Sequence, residues 1–70
     1  MDVRRRVGIN VQKLRRARNL SQEELAHRAD IHQTYLSGVE NGRRNASLLV
    51  LQRVAEALEV DIEDLTRRTG

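Results

Sequence analysis

Thirteen of the 70 residues are basic, and twelve of those thirteen are arginine. The planar guanidinium suits forked recognition of phosphate and of guanine. These charges are segregated along the chain. Residues 1–18 hold Arg4, Arg5, Arg6, Lys13, Arg15, Arg16 and Arg18 against Asp2, a balance of +6. Residues 42–53 hold Arg43, Arg44 and Arg53 and carry +3, whereas residues 19–41 and 54–70 stand at −3 each. A chain divided in this way can turn a basic face to an anionic polymer and keep its acidic parts elsewhere. The same charges also suit ordinary solvated helix faces, and charge alone leaves both readings open.

Other chemistries find little to work with. There is no cysteine, so disulfides and thiolate metal sites are excluded. His27 and His32 are five apart, which is not the spacing that sets two imidazoles on one helical face, so no metal is expected. No nucleophile–base pair or Gly-rich phosphate loop is present and a chain this short has no room for a closed pocket, which argues against an enzyme and against a cofactor. No apolar run is long enough to span a membrane, and the arginine-rich start is not followed by the apolar stretch of a secretory signal. The expectation is a single cytoplasmic domain over residues 1–70, frayed at about 1–4 and 67–70, with no small-molecule effector.

These side chains need short helices to position them. Pro, Phe and Trp are absent and Tyr35 is the only aromatic residue, while helix-forming Leu, Arg, Ala, Glu and Gln dominate. Val7, Val11 and Leu14 predict a first helix over about 3–18, ended at Asn19. Ser21-Gln22-Glu23-Glu24 is a capping box opening a second helix that buries Leu25, Ala26 and Ala29. A very short turn at Asp30 and Ile31 leads to a third, from about His32 to Asn41, stopped at Gly42. Arg43 to Ala46 form a basic loop. Ser47 caps a fourth helix with a core stripe of Leu48, Leu51, Val54, Ala55 and Leu58. Asp61, with Asp64 three residues on, starts a last turn or two carrying Ile62 and Leu65. The turn between the second and third helices is too short for antiparallel packing, which makes residues 21–41 a helix-turn-helix within an all-α five-helix bundle.

Leu14-Arg15, the run from Leu20 to Ala26, Ile31, Tyr35-Leu36-Ser37, Glu40-Asn41-Gly42 and the run from Ala55 to Val60 together resemble the Cro/C1-type (XRE) helix-turn-helix domain of phage repressors and bacterial regulators. The resemblance covers about residues 7–66 and implies a lambda repressor-like fold and double-stranded DNA as partner. Within that superfamily, the run from Thr34 to Glu40 with Arg44-Asn45 is similar to the controller proteins of restriction–modification systems, which are single-domain dimeric regulators.

The resemblance implies roles residue by residue. Gln22 would contact a DNA phosphate and brace Gln33, the residue at the start of the recognition helix. Gln33 can pair bidentately with adenine, and Thr34 and Ser37 share its exposed face. Gly38 stands where other members carry a base-reading side chain, so one contact is expected to be missing. Tyr35 has two readings, a contact with the groove or DNA backbone and plain packing against the core. Asn41, Arg43, Arg44 and Asn45 would clamp the sugar–phosphate backbone. Arg15 and Glu40 match an ion pair that ties the first helix to the end of the third. His32 stands where Ser, Thr or Asp usually caps, and is read either as a contact near phosphate or as an ordinary exposed histidine.

Leu49 falls on the polar side of the fourth helix, and apolar surface at Val50, Val60, Ile62 and Leu65 accompanies it. These five are the candidate contacts of a two-fold homodimer. The leading expectation is a homodimeric, sequence-specific transcriptional regulator acting on a palindromic operator and on its own gene. The alternative is an antitoxin-type interaction module that masks a toxin and binds DNA secondarily.

Overall fold

Asp2, Ser21 and Ser47 each open a helix in the computed structural model, which describes residues 2–68. Asp2 Oδ1 accepts the Arg4 amide at 2.7 Å and starts α1 (Val3–Ala17). Hydrogen bonds from the Arg4 side chain and then from its amide hold the exposed Asp2 carboxyl down at about 2, against an ordinary 3.8. Ser21 and Glu24 close the capping box of α2 (Gln22–Ala29) at 3.0 and 3.3 Å. His32 opens α3 (Gln33–Glu40) with no side-chain bond. The Ser47 hydroxyl accepts the Val50 amide at 3.1 Å to start α4 (Leu48–Leu58), and α5 (Ile62–Thr66) follows Asp61, whose amide donates to Asp64. The fold is all-helical with no strand among the described residues, as the composition predicts. Where fraying was expected at 1–4, Asp2 caps the helix and Val3 and Arg4 stand in its first turn. Met1, Thr69 and Gly70, also expected to fray, lie outside the described residues.

Helices α1 to α4 end on the same turn. A residue with positive φ follows each helix (Asn19 at 55°, Asp30 at 57°, Gly42 at 73°, Glu59 at 59°), and the next amide reaches back five residues to a helix carbonyl. The pairs are Leu20 to Arg15, Ile31 to Ala26, Arg43 to Gly38 and Val60 to Ala55, at 2.8 to 3.1 Å. This is the Schellman motif, whose last residue commonly makes a hydrophobic contact back to the helix. Leu20, Ile31 and Val60 do so: the first is buried in the core and the other two are half-buried against it. At the end of α3 the same place is held by Arg43, which is exposed.

The core gathers Val7 and Val11 of α1, Leu25, Ala26 and Ala29 of α2, Leu36 and Val39 of α3, and Leu51, Val54, Ala55 and Leu58 of α4. α1 packs on α3 and α5, and α2 packs on α3 and α4. Asn10 of α1 is buried and donates to the carbonyls of Leu65 at 3.0 Å and Arg67 at 2.8 Å, tying down the end of α5. Two expectations are corrected. Leu48 is 74% exposed, since its place in the first turn of α4 lies beyond the edge of the core. Leu65 is wholly buried, because the docking of α5 on α1 turns it inward, so it offers nothing to a dimer surface.

Two features fix α3. A Cβ built at Gly8 would lie 2.5 Å from the Val39 carbonyl oxygen and 2.6 Å from that of Glu40, so α1 rests directly on the backbone at the end of α3. Glu40 is the second. Its side chain is fully enclosed and accepts from Arg15 Nε at 2.8 Å, Arg15 Nη2 at 3.0 Å and Gln22 Nε2 at 3.1 Å, while Arg15 Nη1 also donates to the Leu20 carbonyl at 2.9 Å.

Both features generate predictions. Gly8→Ala would gain about 1 kcal/mol from helix propensity at an open position. Here the overlap with backbone oxygens outweighs that gain, for a net loss of about 1–3 kcal/mol, read as a lower midpoint in urea denaturation. Arg15→Met leaves the Glu40 carboxylate buried with only Gln22 beside it and costs about 3–5 kcal/mol in the same measurement. The double variant Arg15→Met/Glu40→Leu recovers most of that loss, because no buried charge remains.

Candidate nucleic-acid interface

The first turn of α3 carries its exposed polar residues. Gln33 and Thr34 are exposed, Ser37 is half-buried one turn further on, and Leu36 and Val39 point into the core. His32, in extended backbone just before the helix, is exposed and makes no capping bond. No acidic residue lies in this first turn, whereas α2 starts with Glu23 and Glu24. The open N–H groups and positive dipole end of α3 therefore lack the neutralising carboxylates found on its neighbour.

The basic loop stands beside the other end of the helix. The Asn41 side-chain Nδ2 donates to Ser37 Oγ at 3.4 Å, and the Gly38 carbonyl accepts the backbone amides of Arg43 and Arg44 at 2.8 and 3.2 Å. Arg43, Arg44 and Asn45 are all exposed, on a loop held by backbone bonds. Tyr35 is half-buried against the core, and the Arg44 guanidinium lies 5.5 Å from its ring centroid, within cation–π range. Both readings of Tyr35 thus keep a physical basis: one side packs and the other meets an exposed arginine.

Not every residue implied by the resemblance stands as expected. Among the described residues the one hydrogen bond of the Gln22 side chain runs inward to Glu40, and none is made to Gln33. The expected brace between the two glutamines is absent because Glu40, a buried carboxylate, is the stronger acceptor. The N-terminus of α2 carries the predicted capping box, which uses the Glu24 amide and adds negative charge there.

Two placements were not foreseen from the sequence. The start of α1 lies against the turn after α3, where a Cβ at Gly42 would come within 3.1 Å of Arg5 Cα. This brings the arginine-rich N-terminus next to the basic loop, a long-range contact that no local pattern signals. Gly38, expected only as a missing contact, lies under the stem of Arg44.

On α4, Leu48 and Leu49 are 74% and 65% exposed and line a shallow groove with Gln52 and Ile62. Val50, Val60 and Ile62 are half-buried, partly packed on the core. Among the described residues no three His, Cys, Asp or Glu are grouped to hold a metal, and no helix is long and apolar enough to cross a membrane.

A helix-turn-helix family profile matches residues 11–65. The HTH-type transcriptional regulator y4dJ of Sinorhizobium fredii is 44% identical over 69 residues, which is 99% of this chain and 90% of that one. The control protein C.SmaI of Serratia marcescens is 39% identical over 70 residues, covering 100% of this chain and 83% of its own. Among solved structures, the restriction–modification controller protein C.AhdI of Aeromonas hydrophila superposes with a TM-score of 0.87 at 37% identity, over 89% of this chain and 94% of that one. The chain is a member of the helix-turn-helix family of Cro/C1-type regulators, and is similar throughout to its restriction–modification controller proteins.

Proposed function

We propose that this protein is a sequence-specific DNA-binding transcriptional regulator that acts in the cytoplasm as a homodimer on a palindromic operator and controls its own gene, in the manner of a restriction–modification controller. The observation that carries this reading is the exposed first turn of α3, with Gln33 and Thr34, next to the exposed Arg43–Asn45 loop. Gln33 would read adenine through a bidentate amide contact, Thr34 would meet a thymine methyl, and Ser37 and Tyr35 would complete the base-reading face. His32, Asn41, Arg43, Arg44 and Asn45 would hold phosphates. Gln22 would contribute chiefly by holding Glu40, and Arg15 with Glu40 would aim the helix. Neither a cofactor nor an effector has a role here: occupancy would follow protein concentration.

The dimer would form on α4. Two adjacent leucines exposed to this degree make an apolar patch rather than a scattered residue. A two-fold contact of that patch, with Ile62, Val50 and Val60 at its margin, would be self-complementary. Each copy would then put an α3 in successive major grooves about 34 Å apart.

The test is titration of the protein into DNA from upstream of its own gene beside a scrambled duplex, at near-physiological salt. Binding at least a hundredfold tighter to the upstream DNA, with two subunits per site, is the expected result; equal, weak and salt-sensitive binding to both would overturn the reading. Gln33→Ala lowers discrimination at one base pair by about 1–3 kcal/mol. Arg43→Ala weakens specific and random DNA alike and reduces the log–log salt slope by about one. Leu49→Lys, on an exposed position, shifts the protein to a monomer in sedimentation equilibrium, lowers the melting temperature through the lost association while the helical circular dichroism stays unchanged, and weakens operator binding at least tenfold.

A further inference from the structure

Gly38 lies on α3 one turn after Thr34, where the family resemblance leaves a base-reading side chain missing. Three observations meet there. A Cβ built on Gly38 would lie 2.5 Å from Arg44 Cγ and 3.6 Å from Arg44 Cβ and Cδ, so the arginine stem lies flat across the bare helix backbone. The Gly38 carbonyl accepts the amides of both Arg43 and Arg44. The Arg44 guanidinium then lies over Tyr35, three residues earlier on the same helix. A loop residue is thereby laid along α3 in the space that a side chain at 38 would fill.

We propose that Gly38 is a positioning residue for DNA recognition: its bare backbone seats the Arg44 stem, and through that seat a loop arginine supplies the charged donor that α3 lacks at this position. Alanine is a better helix former than glycine, so the helix itself gains nothing from a glycine here. What glycine provides is room. An arginine free in solvent loses the freedom of its long stem when it binds phosphate or base. Arg44, already laid against Gly38 and Tyr35, has lost part of that freedom beforehand, yet it stays exposed with its donors available. A Cβ at 38 would strike the middle of the stem rather than its flexible tip, so the whole side chain would have to leave.

The proposal rests on the DNA-binding reading, and Gly38→Ala tests it in two ways. The first needs no DNA. Tyr35 is the only Tyr, Phe or Trp in the chain, so upfield ring-current shifts of the Arg44 methylene protons report this seat. They are expected in the unmodified protein and lost in Gly38→Ala, while the melting temperature stays level or rises. The second is affinity for the upstream DNA. Gly38→Ala is expected to weaken it at least fivefold, and Arg44→Ala by at least as much. The double variant Gly38→Ala/Arg44→Ala should bind no more weakly than Arg44→Ala alone. Retained Arg44 shifts in Gly38→Ala, unmodified affinity, or losses that multiply in the double variant would each overturn the role of Gly38 while leaving the DNA-binding reading intact. Failure of the unmodified protein to prefer its upstream DNA would overturn that reading and the recognition role together, even with the proton shifts present.

Discussion

Among the described residues Glu40 is the one ionisable side chain that is wholly enclosed, and three helices meet on it. Removing a carboxylate from water costs several kcal/mol, recovered only when its oxygens find well-placed donors. Arg15 of α1 supplies a fork and Gln22 of α2 a third bond. α3 can neither rotate nor slide without unpairing at least one of these. The constraint acts on the last turn of the helix, where α1 also presses Gly8 against the Val39 and Glu40 carbonyls. The first turn of α3 carries no comparable tie. The helix is therefore gripped at one end and presents the other, which is the arrangement a groove-reading element needs.

The same economy governs the connections. Four helices end on one hydrogen-bonding pattern, and the residue that completes it decides where the chain goes next. Leu20, Ile31 and Val60 draw the chain back to the core. Arg43 cannot, and the turn after α3 instead carries two arginines and an asparagine outward on a loop whose amides are held by Gly38. The basic loop is thus shaped by the backbone and leaves its charged side chains free. Those of Arg43 and Asn45 make no hydrogen bond or ion pair among the described residues, and that of Arg44 lies over Tyr35.

What could be read from the sequence follows the range of the forces involved. The starts of α2, α4 and α5 were legible because capping is a side-chain event within three residues, whereas α1 was placed by its apolar spacing and its Asp2 cap was missed. The end of α2 at Asp30 was read as a short turn, but no signal marked the end of α4, since the left-handed residue there is Glu59 rather than glycine. Periodicity placed Leu51, Val54, Ala55 and Leu58 inside, yet it also placed Leu48 there. A helical stripe says which residues share a face, but not where along its length the core stops. The burial of Leu65 failed for the complementary reason: it depends on the Asn10 bonds to the end of α5, between residues more than fifty apart in sequence. In the candidate site, the exposure of Gln33 and Thr34 and the Arg15–Glu40 pair came through the resemblance. The seat of Arg44 on Gly38 did not, because a glycine reads as an absence until the side chain filling the space is seen.

The size of α3 connects the two faces of the molecule. An eight-residue helix whose Leu36, Val39 and Glu40 are committed inward has few side chains left for bases. At about 1–3 kcal/mol of discrimination for each good base contact, one copy cannot separate an operator from the many competing sites of a genome. A second copy held at fixed spacing doubles the number of base pairs read and makes the spacing itself part of the code. A small core of leucine, valine and alanine also has little stability to spare, and further burial at Leu48 and Leu49 would add to it. The exposed leucines of α4 and the short reading face of α3 are thus two deficits that one association would remedy. Because α4 packs on α2, and α2 on α3, the proposed contact at the leucines would fix the distance between the α3 helices of the two copies.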